Sequence, residues 1–348
     1  MPDPSVPDAA VTAPRPLVSV IVPNYNYARA LGLCLSALRA QTYPNLEIIV
    51  VDDRSTDDSV AVARSYGVRV VQTPANGGPS VARNLGASVA NGEILFFVDS
   101  DVAAKPDAVA NAVALLTERP EIGAVCGNYD PVPLIRDSLV EEYRCMQQSY
   151  WLIADEGRIH TMYTALLAMR AEVFAEIGPF NPKLRETENA DYGFRLARKY
   201  EIWLTPTVRG VHDHDDDLRV LVRKVFTRTR LHIPMYAANP DFPGGLRSGP
   251  RAWGSVAALL VLCCAVLPLL LGPWWSVVPA LPVAGYLACD WPMYRFVAVR
   301  RSPLFVVYFV AMHFFLNVVM AVAALTGFAS WFGSRAFRRL YDKPVEAV

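Results

Sequence analysis

The amino-acid sequence predicts an α/β fold with a sheet flanked by helices, followed by C-terminal transmembrane helices. Between residues 18 and 98, short apolar runs alternate with segments of helical apolar spacing, which is typical of parallel sheets covered on both faces. After Trp253 the chain becomes strongly apolar, and this region contributes to an apolar content of 53% over 348 residues. That length is sufficient for one large domain and a membrane region.

The first part of the chain is predicted to contain four strands and three helices. The strands are Val18–Val22, Leu46–Val51, Val68–Val71 and Ile94–Val98, and the helices are Ala30–Ala40, Asp58–Tyr66 and Ser80–Ala90. Residues 108–214 have a mixed α and β pattern, in which the acidic stretch Glu186–Asp191 precedes a helix at Tyr192–Lys199.

Aspartates follow two of the predicted strands. Asp52 and Asp53 close the second apolar run, and Asp99 and Asp101 follow the fourth. Parallel sheets bind ligands at the carboxyl ends of their strands, so we expect these side chains and Asn24 at one edge. Carboxylate oxygens suit Mg²⁺ or Mn²⁺, and such an ion neutralises a diphosphate. An Asp-x-Asp pair alone is often a surface turn, but its position after a buried strand favours a metal and nucleotide site.

Charge and cysteine content disfavour several classes of protein. Lys+Arg and Asp+Glu both number 33, and this balance argues against nucleic acid as a partner. The six cysteines form no Cys-x-x-Cys pair, so we expect reduced thiols in a cytoplasmic domain. Residues 1–16, rich in Pro and Ala, are predicted to be a disordered tail and not a signal peptide.

Five motifs occur in order along residues 17–215. They are Val20-Ile21-Val22-Pro23-Asn24-Tyr25-Asn26, Val51-Asp52-Asp53-Arg54-Ser55-Thr56-Asp57, Asn76-Gly77-Gly78 with Ala82-Arg83-Asn84-Leu85-Gly86, Asp99-Ser100-Asp101, and Ile177-Gly178-Pro179-Phe180-Asn181. Together they resemble the motifs of the family 2 glycosyltransferases, which are inverting enzymes with the GT-A fold. Pro206 followed by His212 resembles the family's last element. The resemblance implies a Rossmann-like mixed sheet and a nucleotide-sugar donor, with a UDP-sugar expected.

The resemblance also implies which residues serve the donor and the metal. The donor-binding residues would be Pro23, Asn24, Tyr25, Asp53, Arg83, Asp99 and Ser100. Asp101 and Asp99 would hold the Mg²⁺ or Mn²⁺ ion, with His212 as a further ligand and His214 as a weaker candidate. The chemistry agrees, since a carboxylate accepts from a nucleobase N–H and Arg83 offers a planar donor fork to base or phosphate.

The general base departs from the family pattern. When Asp191 and Arg195 are aligned with that pattern, Asn189 stands where an aspartate is usual. An amide takes no proton from an attacking hydroxyl at neutral pH, so Glu188 or Asp191 is predicted to be catalytic. Adjacency to the expected position favours Glu188. Two further explanations stay open, namely an anionic acceptor such as a lipid phosphate, which needs no dedicated base, and a chain that has lost activity.

The C-terminal third is predicted to attach to a membrane. Residues 216–251 form a basic amphipathic linker, and an interfacial helix on anionic headgroups is favoured over a solvated helix face. Residues 252–330 carry two or three apolar helices, at Trp253–Leu271, Trp274–Cys289 and Leu304–Leu325, and residues 331–348 are a basic tail. Three full spans would place the two basic clusters on opposite sides, against the positive-inside rule, so the number of spans stays open.

Together these features predict a multi-pass protein of the inner or plasma membrane with a cytoplasmic catalytic domain. It would move a single sugar to a lipid-linked or membrane-delivered glycan acceptor, because the Gln-x-x-Arg-Trp element of processive relatives is not found. A catalytically silent membrane scaffold that binds sugar nucleotides is the rival hypothesis from another class of protein. A nucleotidyltransferase is disfavoured, since Pro23–Tyr27 has neither a Gly-rich loop nor a lysine.

Overall fold

The computed structural model describes residues 15–238 and 249–341. Most of the predicted disordered tail, residues 1–14, lies outside the described residues. Residues 239–248 of the predicted linker and residues 342–348 of the predicted basic tail also lie outside them.

The first part of the chain folds as alternating strands and helices. They are β1 (Val18–Asn24), α1 (Ala28–Arg39), β2 (Leu46–Asp52), α2 (Ser59–Ser65), β3 (Arg69–Gln72), α3 (Pro79–Val89) and β4 (Ile94–Val98). All seven predicted elements are confirmed, with ends that differ by two residues or fewer. The β-branched and aromatic runs of β1, β2 and β4 are largely buried within the sheet, which explains why they could be read from composition, whereas β3 is an edge strand with no buried residue.

The next part of the domain adds five strands of three to twelve residues and four helices. They are β5 (Val102–Ala104), α4 (Ala108–Glu118), β6 (Ile122–Tyr129), α5 (Leu139–Ala154), β7 (Gly157–Ile159), β8 (Leu166–Arg170), α6 (Ala171–Ile177), α7 (Glu188–Ala197) and β9 (Glu201–His212). Helix α7 begins four residues before the predicted start at Tyr192, because the acidic stretch forms its first turn.

Within the described residues one mixed sheet of nine strands organises the domain. The strand order is β3-β2-β1-β4-β8-β6-β9-β5, and β7 also pairs with β9. Strands β1 to β4 pair in parallel with one another, whereas β8 is antiparallel to both β4 and β6. The parallel part places the ends of β1, β2 and β4 side by side, which is where the aspartates lie.

Helix α3 packs unusually close to the sheet. A Cβ atom at Gly86 would lie 2.3 Å from Ile21 Cγ2 of β1, so only glycine fits without a shift of the strand. This contact fixes the helix that carries Arg83, one turn earlier, against the carboxyl ends of the strands.

The C-terminal part is helical throughout the described ranges. Its elements are α8 (Leu218–Ala238), α9 (Gly249–Ala265), α10 (Leu267–Leu271), a short 3-10 helix (Pro273–Val277), α11 (Ala280–Cys289), α12 (Trp291–Ala298), α13 (Pro303–Gly333) and α14 (Arg335–Arg338). Two segments are long and apolar enough to span a bilayer, Trp253–Leu271 and Pro303–Gly333. The third predicted stretch, which contains Pro279 and Pro282, is divided between the 3-10 helix and α11.

The helices of this region present large apolar side chains to the outside. Trp274 is 90% exposed and Leu269 is 84% exposed. A contiguous apolar exterior of this kind is unfavourable in water and favourable in lipid. Helix α8 does not stand apart from it: a Cβ at Gly327 of α13 would lie 2.7 Å from Ile233 Cγ1, so the two helices are in close contact.

Candidate active site

The carboxylate at the end of β2 is held by the protein itself. Asp53 accepts hydrogen bonds from the Thr73 hydroxyl at 2.7 Å and from the backbone N–H groups of Gly77 and Gly78 at 2.9 and 2.7 Å. Gly78 has φ +85°, a backbone conformation that favours glycine. Asp53 therefore fixes the loop that leads into α3, and it also lines a central cavity.

Asn24, at the end of β1, lies beside this loop. Its Nδ2 donates to Ser55 Oγ at 3.2 Å and to Asp52 Oδ1 at 3.4 Å. The Asn24 Oδ1 is buried and has no hydrogen-bond partner in the part of the chain that the structure describes. Because Asn24 lines the cavity, this oxygen is an acceptor open to a bound molecule.

Arg83 joins three segments that are distant in sequence. Its side chain is almost completely buried, with Nη2 at 2.7 Å from Asp99 Oδ1 and Nη1 at 3.3 Å from Glu188 Oε1. Burial opposes the charged form, but Asp99 and Glu188 together raise the pKa of Arg83 above its ordinary value. The guanidinium also lies over the ring of Phe180, from the fifth motif, at 5.7 Å. A permanent buried cation is thereby held at the carboxyl end of β4.

Asp101 and His212 meet because β5 and β9 pair in an antiparallel ladder with Val102 opposite His212. The distance from Asp101 Oδ1 to His212 Nε2 is 3.6 Å. Asp101 Oδ1 and His212 Nδ1 are both buried without a hydrogen-bond partner among the described residues. Burial, with the charge of Asp99, raises the pKa of Asp101 well above its usual value, and burial lowers the pKa of His212 to about 4. The histidine is therefore neutral at neutral pH, the form that binds metal.

Glu188 is the first residue of α7 and faces the cavity. Its Oε1 accepts a hydrogen bond from Arg83 Nη1, while its Oε2 is buried and has no hydrogen-bond partner within the described ranges. Burial raises the pKa of Glu188 above its ordinary value even though Arg83 opposes this shift. A carboxylate with one free buried oxygen and a raised pKa has the properties of a general base.

The two neighbours of Glu188 on α7 have other contacts. Asp191 pairs with Arg195 at 3.2 Å and is not among the residues that line the cavity. Asn189 Nδ2 donates to the Met162 carbonyl at 3.0 Å, a bond that an aspartate could not make. Glu188 and Asn189 thus both line the cavity, but the Asn189 amide is engaged by the Met162 carbonyl, whereas Glu188 keeps one carboxylate oxygen without a described partner.

A single cavity of about 620 Å³ collects most of the predicted site residues. It lies at the carboxyl ends of β1, β2 and β4, as the position of the aspartates predicts. Of the predicted residues, those that line it are Pro23, Asn24, Tyr25, Asp53, Arg83, Asp99, Ser100, Asp101, Glu188, His212 and the weaker candidate His214. The volume is within the range usual for small-molecule and cofactor sites.

Sequence reasoning missed several basic residues of the cavity. Arg144, Arg185, Lys224, Arg228 and His232 also line it. Lys224 pairs with Asp215 at 2.6 Å, and Arg228 pairs with Glu186 at 2.8 Å. The spacing of residues 224, 228 and 232 was a usable signal, since residues four apart lie on the same face of a helix.

The comparisons with known proteins agree with this geometry. The family model for Glycosyl transferase family 2 matches residues 19–177. The chain is 39% identical over 118 residues to the glycosyltransferase GlyG of Streptococcus pneumoniae, covering 32% of this chain and 39% of that protein. It is 29% identical over 197 residues to an uncharacterized glycosyltransferase of Haemophilus influenzae, covering 55% and 64%. Residues 19–177 thus form a Glycosyl transferase family 2 domain, as the resemblance of the motifs predicts.

The fold also has a counterpart among solved structures. The mannosyltransferase PcManGT of Pyrobaculum calidifontis, solved in complex with GDP-Man and Mn²⁺, matches with a TM-score of 0.56 at 22% identity. The match covers 89% of this chain and 87% of that one. The predicted GT-A-like mixed sheet with flanking helices is therefore confirmed. The chain spans from 26% to 65% of the length of eight of the curated relatives it matches.

Proposed function

We propose that this protein is a membrane-anchored inverting glycosyltransferase. It transfers a single sugar from a nucleotide-sugar donor, expected to be a UDP-sugar, to a lipid-linked or membrane-delivered glycan acceptor. The observation that carries the proposal is the convergence of Asp101, Arg83 and Glu188, from three segments, in one cavity of a family 2 domain. These residues supply a metal ligand, a fixed cation and a base.

The donor side of the cavity suits a nucleoside diphosphate. Asn24 offers a free acceptor, Asp53 presents its carboxylate edge to a nucleobase N–H, and Arg83 offers a positive charge to the diphosphate. The similar mannosyltransferase binds GDP-Man, so guanine nucleotides belong in any test of donors beside UDP-sugars.

The residues present fit a divalent cation, which we propose to be Mg²⁺ or Mn²⁺. Asp101 has an unpaired buried oxygen beside the neutral His212, and Asp99 lies two residues away. Among the described residues no group of three or more His, Cys, Asp or Glu forms a complete metal cage, so donor phosphates would complete the coordination. When bound, the ion would neutralise charge on the departing diphosphate.

The acceptor is activated by Glu188 in this proposal. As the acceptor oxygen forms its bond to the anomeric carbon, the bond from that carbon to the diphosphate oxygen breaks on the opposite face. Glu188 Oε2 takes the acceptor proton, and Arg83 keeps the carboxylate in place through Oε1. Asp191 is less suitable as the general base because its carboxylate forms an ion pair with Arg195.

The apolar helices anchor the enzyme beside its acceptor. Segments Trp253–Leu271 and Pro303–Gly333 have the length and composition of membrane spans. Nucleotide sugars are made in the cytoplasm, so the catalytic domain is proposed to face that side of the inner or plasma membrane. With both segments fully inserted, the basic residues before Pro303 and those after Gly333 would lie on opposite sides of the bilayer, so only one of the two clusters would satisfy the positive-inside rule.

The direct experiment measures nucleoside diphosphate release by the purified full chain with Mn²⁺, nucleotide sugars and a membrane lipid extract. We expect release that depends on both metal and acceptor. The silent scaffold is favoured by Asn189 at the usual base position. It predicts instead that nucleotide sugars bind to the protein but no diphosphate is released above the buffer rate.

A further inference from the structure

Arg144 is a cation of the cavity that has no role in the mechanism above. It lies on α5 and lines the cavity, and within the described ranges no carboxylate lies at ion-pair distance from it. Its Nη1 donates to Gln147 Oε1 at 2.5 Å, which is a neutral partner. Lys224 and Arg228, the neighbouring cations of α8, are each paired with a carboxylate. Burial lowers the pKa of Arg144 to about 10, so the group remains charged at neutral pH.

The position of Arg144 separates it from the nucleotide motifs. Asn24 and Asp53 lie at the ends of β1 and β2, in the parallel half of the sheet. Helix α5 instead packs beside β6 and β9, in the other half. Arg185 also lacks a carboxylate partner among the described residues, but it donates to the Asn76 carbonyl on the nucleotide side. On the side away from the nucleotide motifs, Arg144 is thus a cavity cation with no carboxylate partner among the described residues; its other contact is with the Trp151 ring, at 5.8 Å.

A buried polar chain connects this arginine to the C-terminal helices. Gln147 Nε2 donates to Tyr143 Oη at 2.6 Å, and Tyr143 Oη is 2.9 Å from His313 Nδ1 of α13. His313 Nε2 is 3.1 Å from Asp290 Oδ2, at the junction of α11 and α12. Ionisable groups on apolar helices are costly to bury and are usually kept for function. In this protein, Asp290 and His313 hold Tyr143 and Gln147 in place. Gln147 in turn accepts a hydrogen bond from Arg144.

We infer that Arg144 binds a phosphate group of the acceptor that is distinct from the hydroxyl deprotonated by Glu188, and that Asp290 and His313 position Arg144 through Tyr143 and Gln147. A guanidinium binds phosphate oxygens through charge-assisted hydrogen bonds. The inference rests on the proposed function, and it adds the chemical class of the acceptor. It also gives the C-terminal helices a second role, because they set the geometry of the acceptor site as well as anchoring the chain.

The test compares farnesyl phosphate with farnesol as probes for the full chain in detergent micelles with Mn²⁺. Binding is followed by thermal shift, and the binding of UDP and GDP is measured in parallel. We expect the wild type to prefer the phosphate by at least about tenfold in Kd, as fits hydrogen bonds to a charged group. Arg144→Gln should remove this preference without changing nucleotide affinity, while Arg144→Lys should keep part of it. Arg64→Gln, at an exposed site on α2, is the matched control.

The Gln147→Glu variant tests whether the phosphate preference depends on the charge of Arg144 or only on how firmly its side chain is held. A glutamate would hold Arg144 more firmly but neutralise it, so the preference for phosphate should fall as in Arg144→Gln. His313→Leu and Asp290→Asn should weaken the preference by a smaller factor and leave UDP and GDP binding intact.

Three results would overturn the inference. They are a wild type that binds both probes equally, an Arg144→Gln variant that keeps the preference, and an Arg144→Gln variant that loses nucleotide binding instead. The last result would assign Arg144 to the donor diphosphate. A wild type that binds no nucleotide would count against the proposed function itself, so the two failures are distinguishable.

Discussion

The ends of β2 and β4 each carry a pair of aspartates, but the two ends are built in opposite ways. At β2, Asp53 receives three hydrogen bonds from the protein's own loop. At β4, Asp101 keeps a buried oxygen that has no partner among the described residues, next to a neutral histidine. An unpaired buried carboxylate costs free energy unless something binds it. The comparison teaches that the Asp53 carboxylate already holds its own loop in addition to lining the cavity, whereas one Asp101 oxygen has no role in holding the described fold.

The largest expected effect is that of Asp101→Asn on turnover. Loss of the metal ligand should lower kcat/KM by about 10³-fold, because a catalytic metal contributes several kcal/mol to the transition state. In the absence of metal, the free energy of unfolding of the variant should equal or exceed that of the wild type, since the substitution removes an uncompensated buried charge. Steady-state kinetics and urea unfolding measure both effects. Asp58→Asn, at an exposed site before α2, should change neither.

Glu188→Gln tests the base at the same end of the sheet. We expect kcat to fall by about 10²-fold or more while nucleotide affinity stays within a few fold, as for loss of general base catalysis. Single-turnover sugar transfer measures this. Asp191→Asn is the matched variant, and its kcat should fall much less than that of Glu188→Gln. If the order of the two variants were reversed, Asp191 would be the base.

The pH dependence of transfer should also report Glu188. Burial raises its pKa, and the base acts in its ionised form, so the rate should rise as pH increases through that raised pKa. On the acidic limb the rate should change by roughly tenfold per pH unit. Saturating Mn²⁺ keeps Asp101 ionised during the measurement. If the acidic limb of the pH–rate profile were the same in Glu188→Gln as in the wild type, Glu188 would not be the group that titrates there.

Asp53→Asn should act mainly on stability, in contrast to Asp101→Asn. One of the three groups that donate to this carboxylate loses its acceptor, so the free energy of unfolding should fall by about 1–3 kcal/mol. Urea unfolding of the two variants side by side gives the comparison. Equal effects on stability would remove the distinction between the two strand ends.

The smallest expected effect is that of Asn189→Asp. Aspartate cannot donate to the Met162 carbonyl, so the variant should lose about 1 kcal/mol of stability. Restoring the usual family residue should not raise kcat, and it should not rescue Glu188→Gln. Kinetics of the double variant test this, and a rescued rate would mean that residue 189 can serve as the base.

Much of the parallel half could be predicted from the sequence because its signals are local. The strands are continuous β-branched and aromatic runs, and the motifs lie next to strand ends. The cavity residues near β1, β2 and β4 follow from these positions. Even so, the pairing of Arg83 with Glu188 joins residues 105 positions apart, and no periodicity reports such a contact.

The role of α8 was missed for a different reason. Its basic residues were assigned to lipid headgroups, because a basic amphipathic helix before apolar segments usually lies on a membrane. In the structure it packs against α13, and Lys224 and Arg228 face the cavity. The choice between lipid and cavity depends on where the helix docks, and tertiary packing decides that.

The most direct test of the central claim is thermal unfolding of the wild type and Asp101→Asn with UDP-, GDP- and dTDP-sugars, with and without Mn²⁺. The account predicts that a nucleotide sugar stabilises the wild type by about 2.7 kcal/mol at a hundred times its Kd, and only when Mn²⁺ is present. Asp101→Asn should show no metal-dependent stabilisation. Equal stabilisation of both proteins, or stabilisation without metal, would contradict the claim that Asp101 holds the metal for a nucleotide sugar.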